Sequence, residues 1–272
     1  MNKINPKQLI KKNPIFESLF MPLYLKAVET QSNNPLIQDH KAVELIESLD
    51  YDFAYVEKNK VLQFHVAART KILDEQIMKV VHETKNLVII NLGSGLDTRY
   101  SRIPSQHINC WYDIDLPEVI EFRNLFFKDN ERYKSIGKSV LDFSWINDID
   151  KDEADRVLFI AEGLFMYFNE SEIKEIMTQI YDNFPSAQML CEVFHQKMLK
   201  YPLKTKNNSS LGFAWGVTDI KELASMHSGV RIENIWSVYG SFKERQKLIM
   251  RVVGKFIPDF KDFARIVKIR FD

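Results

Sequence analysis

A short apolar segment that ends in a turn with two glycines constrains this chain more than any other feature of its sequence. Residues 87–91 read LVIIN, and LGSGLDTR follows directly. A short apolar run without polar alternation is typical of a strand buried on both faces, as in parallel sheets covered by helices. Gly93 and Gly95 then allow a sharp turn and let the backbone approach a ligand, because they carry no Cβ. The segment predicts an α/β fold with a ligand at the end of this strand, although a plain strand-to-helix turn would use the same two glycines.

Strands and helices alternate along the chain after this segment. Strands are predicted over 107–113, 156–161 and 188–193, and helices are predicted over 117–127 and 170–184. Such alternation is typical of right-handed βαβ units and therefore of a mostly parallel sheet.

The C-terminal part of the chain has a different pattern. The stretch KTKNNSSLG is polar and rich in turn residues, which predicts a loop or lid over the sheet edge. Four segments then predict a helix, a strand, a helix and a strand, at 219–226, 230–238, 242–253 and 265–270. The last two strands would give the sheet an antiparallel end.

The residues that precede the glycine turn carry apolar side chains at helical spacing over 14–30, 36–49 and 61–84. These helices have no strand partner in the sequence, so we expect them to cap the sheet. A length of 272 residues suits one large domain. We divide that domain into a helical cap, a ligand-binding core, a lid and the C-terminal part of the sheet, at 1–60, 61–195, 196–217 and 218–272.

Charge and hydropathy exclude several classes of partner. Lysine and arginine total 37, as do aspartate and glutamate, so no global basic field exists to bind nucleic acid or an anionic membrane. No apolar run approaches the ~20 residues that cross a bilayer, and the first residues lack the pattern of a signal peptide. Cys110 and Cys191 lie in apolar runs and are predicted to be core thiols rather than metal ligands. We expect a cytoplasmic protein without a metal and leave its oligomeric state open.

The glycine turn differs from a dinucleotide-binding loop. The third glycine of the GxGxxG pattern is replaced by Thr98, and Asp97 places a carboxylate where a diphosphate would bind. These residues favour a cofactor that has a cationic amine and no phosphate. Asp113 and Asp115 follow the next strand, roughly twenty residues later, at the spacing where a carboxylate binds ribose hydroxyls. An Asx turn with a helix cap is the alternative interpretation of these two aspartates.

Two further segments carry candidate site residues. In LDFSW, Asp142 and Phe143 are candidates to contact an adenine through its amine and its ring face. In AEGLFMYF, Glu162 follows a buried strand directly, where a charge is costly unless it faces a site. Tyr167 lies close behind it and is able to point into the same cleft. The aromatic residues of both segments have a common alternative role as core side chains.

Taken in order, these segments resemble the leucine carboxyl methyltransferase and polyketide O-methyltransferase family. The resemblance rests on GSGLDTR, DIDLPEV, DFSW and EGLFMY, and on an upstream helix that reads AARTKILD. It covers residues 61–195 well, and it covers FAWGV and IPDFKDFARI more loosely. This sequence departs from the family pattern mildly, with Phe143 in place of a leucine and a serine in place of an alanine in the glycine turn.

The resemblance implies a fold, a cofactor and a set of roles. The fold would be a Rossmann-like, mostly parallel seven-stranded sheet with an antiparallel end strand, and the cofactor would be S-adenosylmethionine. Arg69 would pair with the carboxylate of the cofactor's methionine part, which Gly93 and Gly95 would also approach, and Glu162 would lie near that end. Asp115 would hold the ribose.

The remaining roles concern the adenine and the methyl acceptor. Asp142 and the backbone of Phe143 would meet the adenine, and Tyr167 would lie on the acceptor side. An acceptor carboxylate is already ionised at pH 7, whereas a hydroxyl needs a general base, for which His195 and His65 are the candidates. Either histidine has a structural alternative, so we favour a carboxylate or an acidic hydroxyl.

The sequence therefore predicts an S-adenosylmethionine-dependent O-methyltransferase that acts on a small molecule. A protein C-terminal carboxyl methyltransferase would share every cofactor motif and differ only in its acceptor surface. A nucleotide-dependent oxidoreductase is a weaker alternative because the turn carries the acidic Asp97 and lacks the third glycine.

Overall fold

The computed structural model describes residues 3–12, 16–152, 154–201, 203–204, 210–246, 257 and 259–272. Within these residues the strands, numbered in chain order, are β1 Leu87–Leu92, β2 Ile108–Asp115, β3 Tyr133–Gly137, β4 Arg156–Ala161, β5 Gln188–Phe194, β6 Leu203–Lys204, β7 Ser210–Leu211, β8 Val230–Ser237 and β9 Ala264–Phe271. The helices are α1 Lys7–Lys12, α2 Glu17–Thr30, α3 His40–Ser48, α4 Ala54–Glu57, α5 Lys60–Glu83, α6 Pro117–Arg123, α7 Glu170–Asn183 and α8 Lys221–Ala224.

Seven strands form one sheet in the order β3-β2-β1-β4-β5-β9-β8. The first five strands of the chain pair in parallel, β9 pairs antiparallel with β5, and β8 pairs antiparallel with β9. The predicted mostly parallel sheet with an antiparallel end is confirmed. The last strand of the chain inserts between β5 and β8, so the antiparallel strand lies one position inside the edge.

Side chains of β1 explain why the sheet is covered on both faces. All six of its residues are buried. Ile89 packs into a core shared with α2 and α5, whereas Val88 and Ile90 pack into a second core shared with α7. The N-terminal helices therefore cover one face of the sheet, as expected, and α7 covers the other.

Polar caps set where several helices begin. Asp39 accepts a hydrogen bond from the Ala42 N–H at 2.9 Å, so the helix predicted over 36–49 starts at His40. Asn169 and Glu172 form a capping box at the start of α7. The helix predicted over 61–84 is observed as α5, Lys60–Glu83.

The lid region and the C-terminal segment lie only partly within the described residues. Residues 196–217 contain a 3₁₀ turn, Gln196–Lys200, and the β6-β7 hairpin, with residues 202 and 205–209 outside the described part of the chain. Of the helix predicted over 242–253, residues 247–253 lie outside the described residues as well. Residues 14–15 of the first predicted helix are also outside them. The division of the chain at residues 60, 195 and 217 remains a prediction.

Candidate active site

Four neighbouring parallel strands present predicted site residues at their carboxyl ends. Gly93 and Gly95 follow β1, Asp115 ends β2, Asp142 follows β3, and Glu162 follows β4. Because adjacent strands lie about 4.8 Å apart, the four strands span roughly 15 Å of the sheet edge. Open α/β sheets bind ligands at this edge.

A cavity of about 570 Å³ opens over part of this edge. Its volume lies within the ~300–1,000 Å³ that small-molecule sites occupy. We call one wall the sheet side, and it is formed by residues after β1 and β4, namely Gly93, Ser94, Gly95, Asp97, Glu162 and Gly163. We call the opposite wall the cap side, which comprises residues of α2, α4 and α5, such as Leu19, Met21, Tyr55, Val56, Leu62 and His65, together with Tyr167, Phe194, Met198, Tyr201, Phe213 and Tyr239.

The turn after β1 needs glycine at two positions. Gly93 and Gly95 have φ values of 63° and 50°, in the left-handed region that favours glycine. A Cβ on Gly93 would lie 2.6 Å from Cδ1 of Leu164. A Cβ on Gly95 would lie 3.1 Å from Cδ2 of Leu19. The backbone of this turn is thus free to face the cavity.

Asp115 is fixed at the end of β2 by two backbone donors. Its Oδ2 accepts from the Gly95 N–H at 2.7 Å, and its Oδ1 accepts from the Leu116 N–H at 2.7 Å. Burial raises the pKa of Asp115 to about 6, although these two hydrogen bonds act in the opposite direction. The carboxylate is therefore mostly ionised at pH 7 and held in one orientation. It does not itself line the cavity, but the turn to which it is bonded does.

Asp113 has a structural role instead. It is fully buried and pairs with Arg123. It also accepts hydrogen bonds from the side chains of Asn91, Trp111 and Tyr133, at 2.9, 3.0 and 2.7 Å. Every acceptor position of this carboxylate is used within the protein.

A buried network of ion pairs lies beneath the sheet side, and we call it the ion-pair cluster. It comprises four cations and five carboxylates, namely Lys26, Arg69, Arg99, Arg102, Asp39, Asp74, Asp97, Glu162 and Glu192. Arg69 bridges two strand ends, because its Nε lies 2.9 Å from Glu162 Oε1 and its Nη1 lies 2.8 Å from Glu192 Oε2. Arg99 contacts the other oxygen of Glu162 at 2.5 Å.

These contacts set the charge of the two acidic residues on the sheet side. Burial alone would raise the pKa of Glu162, but Arg99 and Arg69 outweigh it and lower that pKa to about 2. Burial likewise opposes ionisation of Asp97, yet Arg99 and Lys26 hold its pKa well below the usual range. Lys26 Nζ lies 3.3 Å from Asp97 Oδ1. Asp97 is therefore ionised and compensated by Arg99 and Lys26, and the expectation that it disfavours a diphosphate stays a prediction.

The two candidate histidines occupy different places. His65 lines the cavity, and its Nε2 lies 2.9 Å from Glu192 Oε1. His195 lies outside the cavity, where its Nδ1 accepts from the Lys197 N–H at 3.0 Å and caps the Gln196–Lys200 turn. Burial, with Arg265 and Lys197, lowers the pKa of His195.

Some of the remaining predicted residues line the cavity and others lie outside it. Arg69, Glu162 and Tyr167 line the cavity together with the two glycines. Asp142 is exposed and accepts from the Ser144 N–H at 3.2 Å, and neither it nor Phe143 lines the cavity. They lie after β3, beyond Asp115 along the same edge.

Sequence reasoning singled out four of the nine members of the ion-pair cluster and missed five, namely Lys26, Asp39, Arg99, Arg102 and Glu192. Lys26 lies within α2, and nothing in the sequence marks it. Its side chain is unusual for a lysine because it is only 3% exposed, which becomes visible in the folded chain alone. Arg99 belongs to the LDTR segment, but its pairing with Glu162 depends on the fold. Among the described residues, no group of three or more histidine, cysteine, aspartate or glutamate side chains is arranged to hold a metal ion. The same residues contain no helix long and apolar enough to cross a membrane.

Comparison with known proteins adds a family. Residues 20–181 match the model of the leucine carboxyl methyltransferase family. The tetracenomycin polyketide synthesis O-methyltransferase of Streptomyces glaucescens is 25% identical, over 97% of this chain and 99% of that protein. An S-adenosyl-L-methionine-dependent methyltransferase of Gibberella zeae is 22% identical over 79% of each chain. A solved S-adenosylmethionine-dependent methyltransferase from Anabaena variabilis is 12% identical, with a TM-score of 0.49 over 75% of this chain and 84% of that one.

Proposed function

The chain belongs to the leucine carboxyl methyltransferase family, and from this membership we propose that it methylates an oxygen atom, in a carboxylate or an acidic hydroxyl, of a small molecule. It is an S-adenosylmethionine-dependent methyltransferase, as the sequence predicted. A small-molecule acceptor is supported by the Streptomyces glaucescens relative, which acts in polyketide synthesis and aligns over almost its full length. A protein C-terminus as acceptor is the less favoured alternative.

The observation that carries this proposal is the row of predicted residues along the sheet edge. Asp115, Gly93 and Glu162 follow three adjacent strands, and Asp142 follows the fourth. We assign Asp115 to the ribose hydroxyls, because its carboxyl group is held in one orientation and is mostly ionised at pH 7. Asp142 and the backbone of Phe143 are assigned to the adenine, further along the same edge.

The sheet side fits the methionine part of this cofactor. Ser94 Oγ is buried and has no hydrogen-bond partner within the described residues, which leaves it available to a bound polar group. Arg69 uses Nε and Nη1 in its two ion pairs, and we assign its third nitrogen, Nη2, to the cofactor's carboxylate. Glu162 is ionised and is assigned to the amine.

The charge of the ion-pair cluster also fits. With His65 neutral, the cluster has one more carboxylate than it has cations. S-adenosylmethionine carries a sulfonium, an ammonium and a carboxylate. Its net charge is therefore opposite in sign to that of the ion-pair cluster and equal in size. Opposite charge in a site that excludes water favours binding more than it would in solvent.

The chemistry that the cofactor supplies is an activated methyl group. The residues of this chain hold the acceptor oxygen in line with that group and exclude water from it. The cap side suits this task because helices α2, α4 and α5 close over the strand ends. Tyr167 is assigned to the acceptor side.

Titration calorimetry and a transfer assay test the proposal. The folded protein is expected to bind S-adenosylmethionine and S-adenosylhomocysteine and to show no heat with NADH. Labelled methyl from the cofactor is expected in aromatic acids or phenols of a test panel. Binding of NADH without binding of S-adenosylmethionine would end the methyltransferase assignment.

A further inference from the structure

An acidic side chain near the end of β5 lies on the face of the sheet that the N-terminal helices cover. β5 reads QMLCEVF, and successive side chains of a strand point to opposite faces. Leu190 and Phe194 pack into the core shared with α2 and α5, so Glu192, which lies between them, points to the same side. Its side chain is fully buried. Because a buried carboxylate is costly unless its oxygens are paired, the contacts of Glu192 indicate its role.

One oxygen of Glu192 joins two parts of the site that belong to different elements. Its Oε2 accepts from Nη1 of Arg69 at 2.8 Å and from the Gly163 N–H at 3.0 Å. Arg69 lies in α5, whereas Gly163 follows β4. The other oxygen, Oε1, lies 2.9 Å from Nε2 of His65, one helical turn before Arg69. Glu192 therefore ties α5 to the turn after β4.

These partners keep Glu192 charged. Burial would raise the pKa of its carboxyl group, but Arg69 and His65 outweigh burial and lower that pKa. An ionised carboxylate accepts stronger hydrogen bonds than a neutral group does, especially from a guanidinium. The contacts with Arg69 and Gly163 are therefore firm ones.

The glycine after Glu162 brings the backbone next to the guanidinium of Arg69. Gly163 has a φ of 65°, in the left-handed region that favours glycine. A Cβ at this position would lie 3.5 Å from Nη1 and 3.6 Å from Nη2 of Arg69. The turn after β4 and the end of the Arg69 side chain are thus packed against each other.

Arg69, Glu162, Gly163 and Glu192 form a closed ring of contacts. Nε of Arg69 lies 2.9 Å from Oε1 of Glu162, and Nη1 of Arg69 donates to Glu192. Glu192 accepts from the N–H of Gly163, which is the chain neighbour of Glu162. A guanidinium is planar, with its N–H groups in a fixed fork, so contacts at Nε and Nη1 together set the direction of Nη2. A contact at Nε alone would leave that direction unset.

Glu192 differs from the other members of this ring in one respect. Arg69, Glu162 and Gly163 line the cavity, whereas Glu192 does not. Any effect of Glu192 on a ligand in the cavity therefore passes through its neighbours. Two of them, Arg69 and Glu162, are the residues that we assign to the carboxylate and the amine of the cofactor.

From these contacts, and resting on the proposed methyltransferase function, we infer that Glu192 is a positioning residue for the amino-acid part of the cofactor. It fixes Arg69 so that Nη2 faces the cofactor's carboxylate, and it holds the turn after β4 so that Glu162 faces the amine. The adenosine part is assigned to the ends of β2 and β3, which Glu192 does not contact. Loss of Glu192 therefore weakens one part of cofactor recognition and spares the other.

The test compares two ligands that differ in the amino-acid part. S-adenosylhomocysteine carries an ammonium and a carboxylate, whereas 5′-methylthioadenosine has a methyl group in place of that chain. Neither ligand has a sulfonium or a net charge at pH 7, so a change in the total charge of the ion-pair cluster favours neither. Titration calorimetry on the whole protein gives both affinities. The wild type is expected to bind both ligands, S-adenosylhomocysteine more tightly.

Two variants of Glu192 separate its position from its charge. Glu192→Gln keeps the size of the side chain and removes the charge. Glu192→Asp keeps the charge and withdraws the carboxylate by one methylene. Both are expected to bind S-adenosylhomocysteine about 10–100-fold more weakly, which corresponds to the loss of one hydrogen bond with a charged group, and to bind 5′-methylthioadenosine as the wild type does. Glu175→Gln is the matched control, because Glu175 is exposed on α7.

The ratio of the two affinities distinguishes positioning from a merely structural role. An ion pair that only stabilises the fold would lower the unfolding temperature of the variants and leave this ratio at its wild-type value, and that result would overturn the inference. An equal loss of both ligands by folded variants would overturn it too. Circular dichroism checks folding, and where one variant is unfolded the other carries the comparison. Wild-type protein that binds neither ligand would instead overturn the proposed function.

Discussion

The backbone N–H of Gly95 donates to Oδ2 of Asp115 at 2.7 Å, which ties the turn after the first strand to the end of the second. Arg123 supports the same junction, since its Nη1 donates to the Gly95 carbonyl at 3.1 Å. Gly95 and Asp115 lie 20 positions apart in the sequence and belong to separate motifs. The contact between Gly95 and Asp115 links the glycine turn to the carboxylate that we assign to the ribose hydroxyls.

Replacing Asp115 tests this assignment directly. Asp115→Ala is expected to weaken S-adenosylmethionine binding by about 1–3 kcal/mol, because a charged hydrogen-bond acceptor is lost. Titration calorimetry gives the affinity, and Glu121→Ala, on the exposed face of α6, serves as the control. An unchanged affinity would remove Asp115 from the site.

The pKa of Asp115 predicts a pH dependence. Since burial raises it to about 6, cofactor affinity is expected to fall as the pH drops from 7 to 5, and this fall is expected to be absent in Asp115→Ala. The folded protein binds this proton more tightly than the unfolded chain does, so between pH 3.8 and about 6 the group lowers the free energy of unfolding as the pH rises. Calorimetry at several pH values on both proteins checks the prediction, and parallel curves would contradict it.

Gly93→Ala is expected to strain the glycine turn. Its φ of 63° costs a residue with a side chain about 1–2 kcal/mol, and the added Cβ would meet Leu164. Both the unfolding temperature and the cofactor affinity are expected to fall. Gly212→Ala is the matched control, because a Cβ there meets nothing within 4 Å. Equal melting curves for the two variants would argue against the strain.

Glu162→Gln removes a charge that two arginines share. The pKa of Glu162 is lowered to about 2 from 4.5, so its contribution to stability is complete above pH 4.5 and is lost as the pH falls towards 2. Breaking such a partly buried pair is expected to cost up to about 3 kcal/mol at pH 7. Asp148→Asn breaks the exposed pair with Lys138 and is expected to cost at most about 1 kcal/mol. Urea unfolding measures both, and equal costs would show that the cluster adds no stability through Glu162.

The parts of the fold that the sequence predicted are those whose signal is local. The strand β1 and its glycine turn are contiguous, and their pattern has one structural solution. By contrast, β3 reads YKSIG, a short strand at the sheet edge with a polar, half-exposed pattern that resembles a loop. It was not predicted, because its pairing with β2 depends on a partner elsewhere in the chain.

The candidate site residues also divide into those that a local motif marks and those that depend on a distant partner in the chain. Arg69, Gly93 and Glu162 were named as candidates because motifs mark them, and the structure places all three at one cavity. Lys26 was missed because its partner Asp97 is 71 residues away. From the sequence we named His195 as the catalytic histidine and kept His65 as the second candidate, since both lie close to a predicted strand or helix of the core. Only the folded chain shows that His65 faces the cavity.

The cap side of the cavity comes largely from the first third of the chain, whereas the sheet side comes from later strands. Helices α2 and α4 thus contribute mainly to the side of the cavity where we place the acceptor, whereas the residues that we assign to the cofactor, apart from Arg69 of α5, lie at the ends of strands. New acceptors can arise through changes in α2 and α4 that leave the strand ends untouched. Lys26 is the exception, because its pairing with Asp97 ties α2 to the glycine turn, so a descendant with a different specificity is expected to keep it.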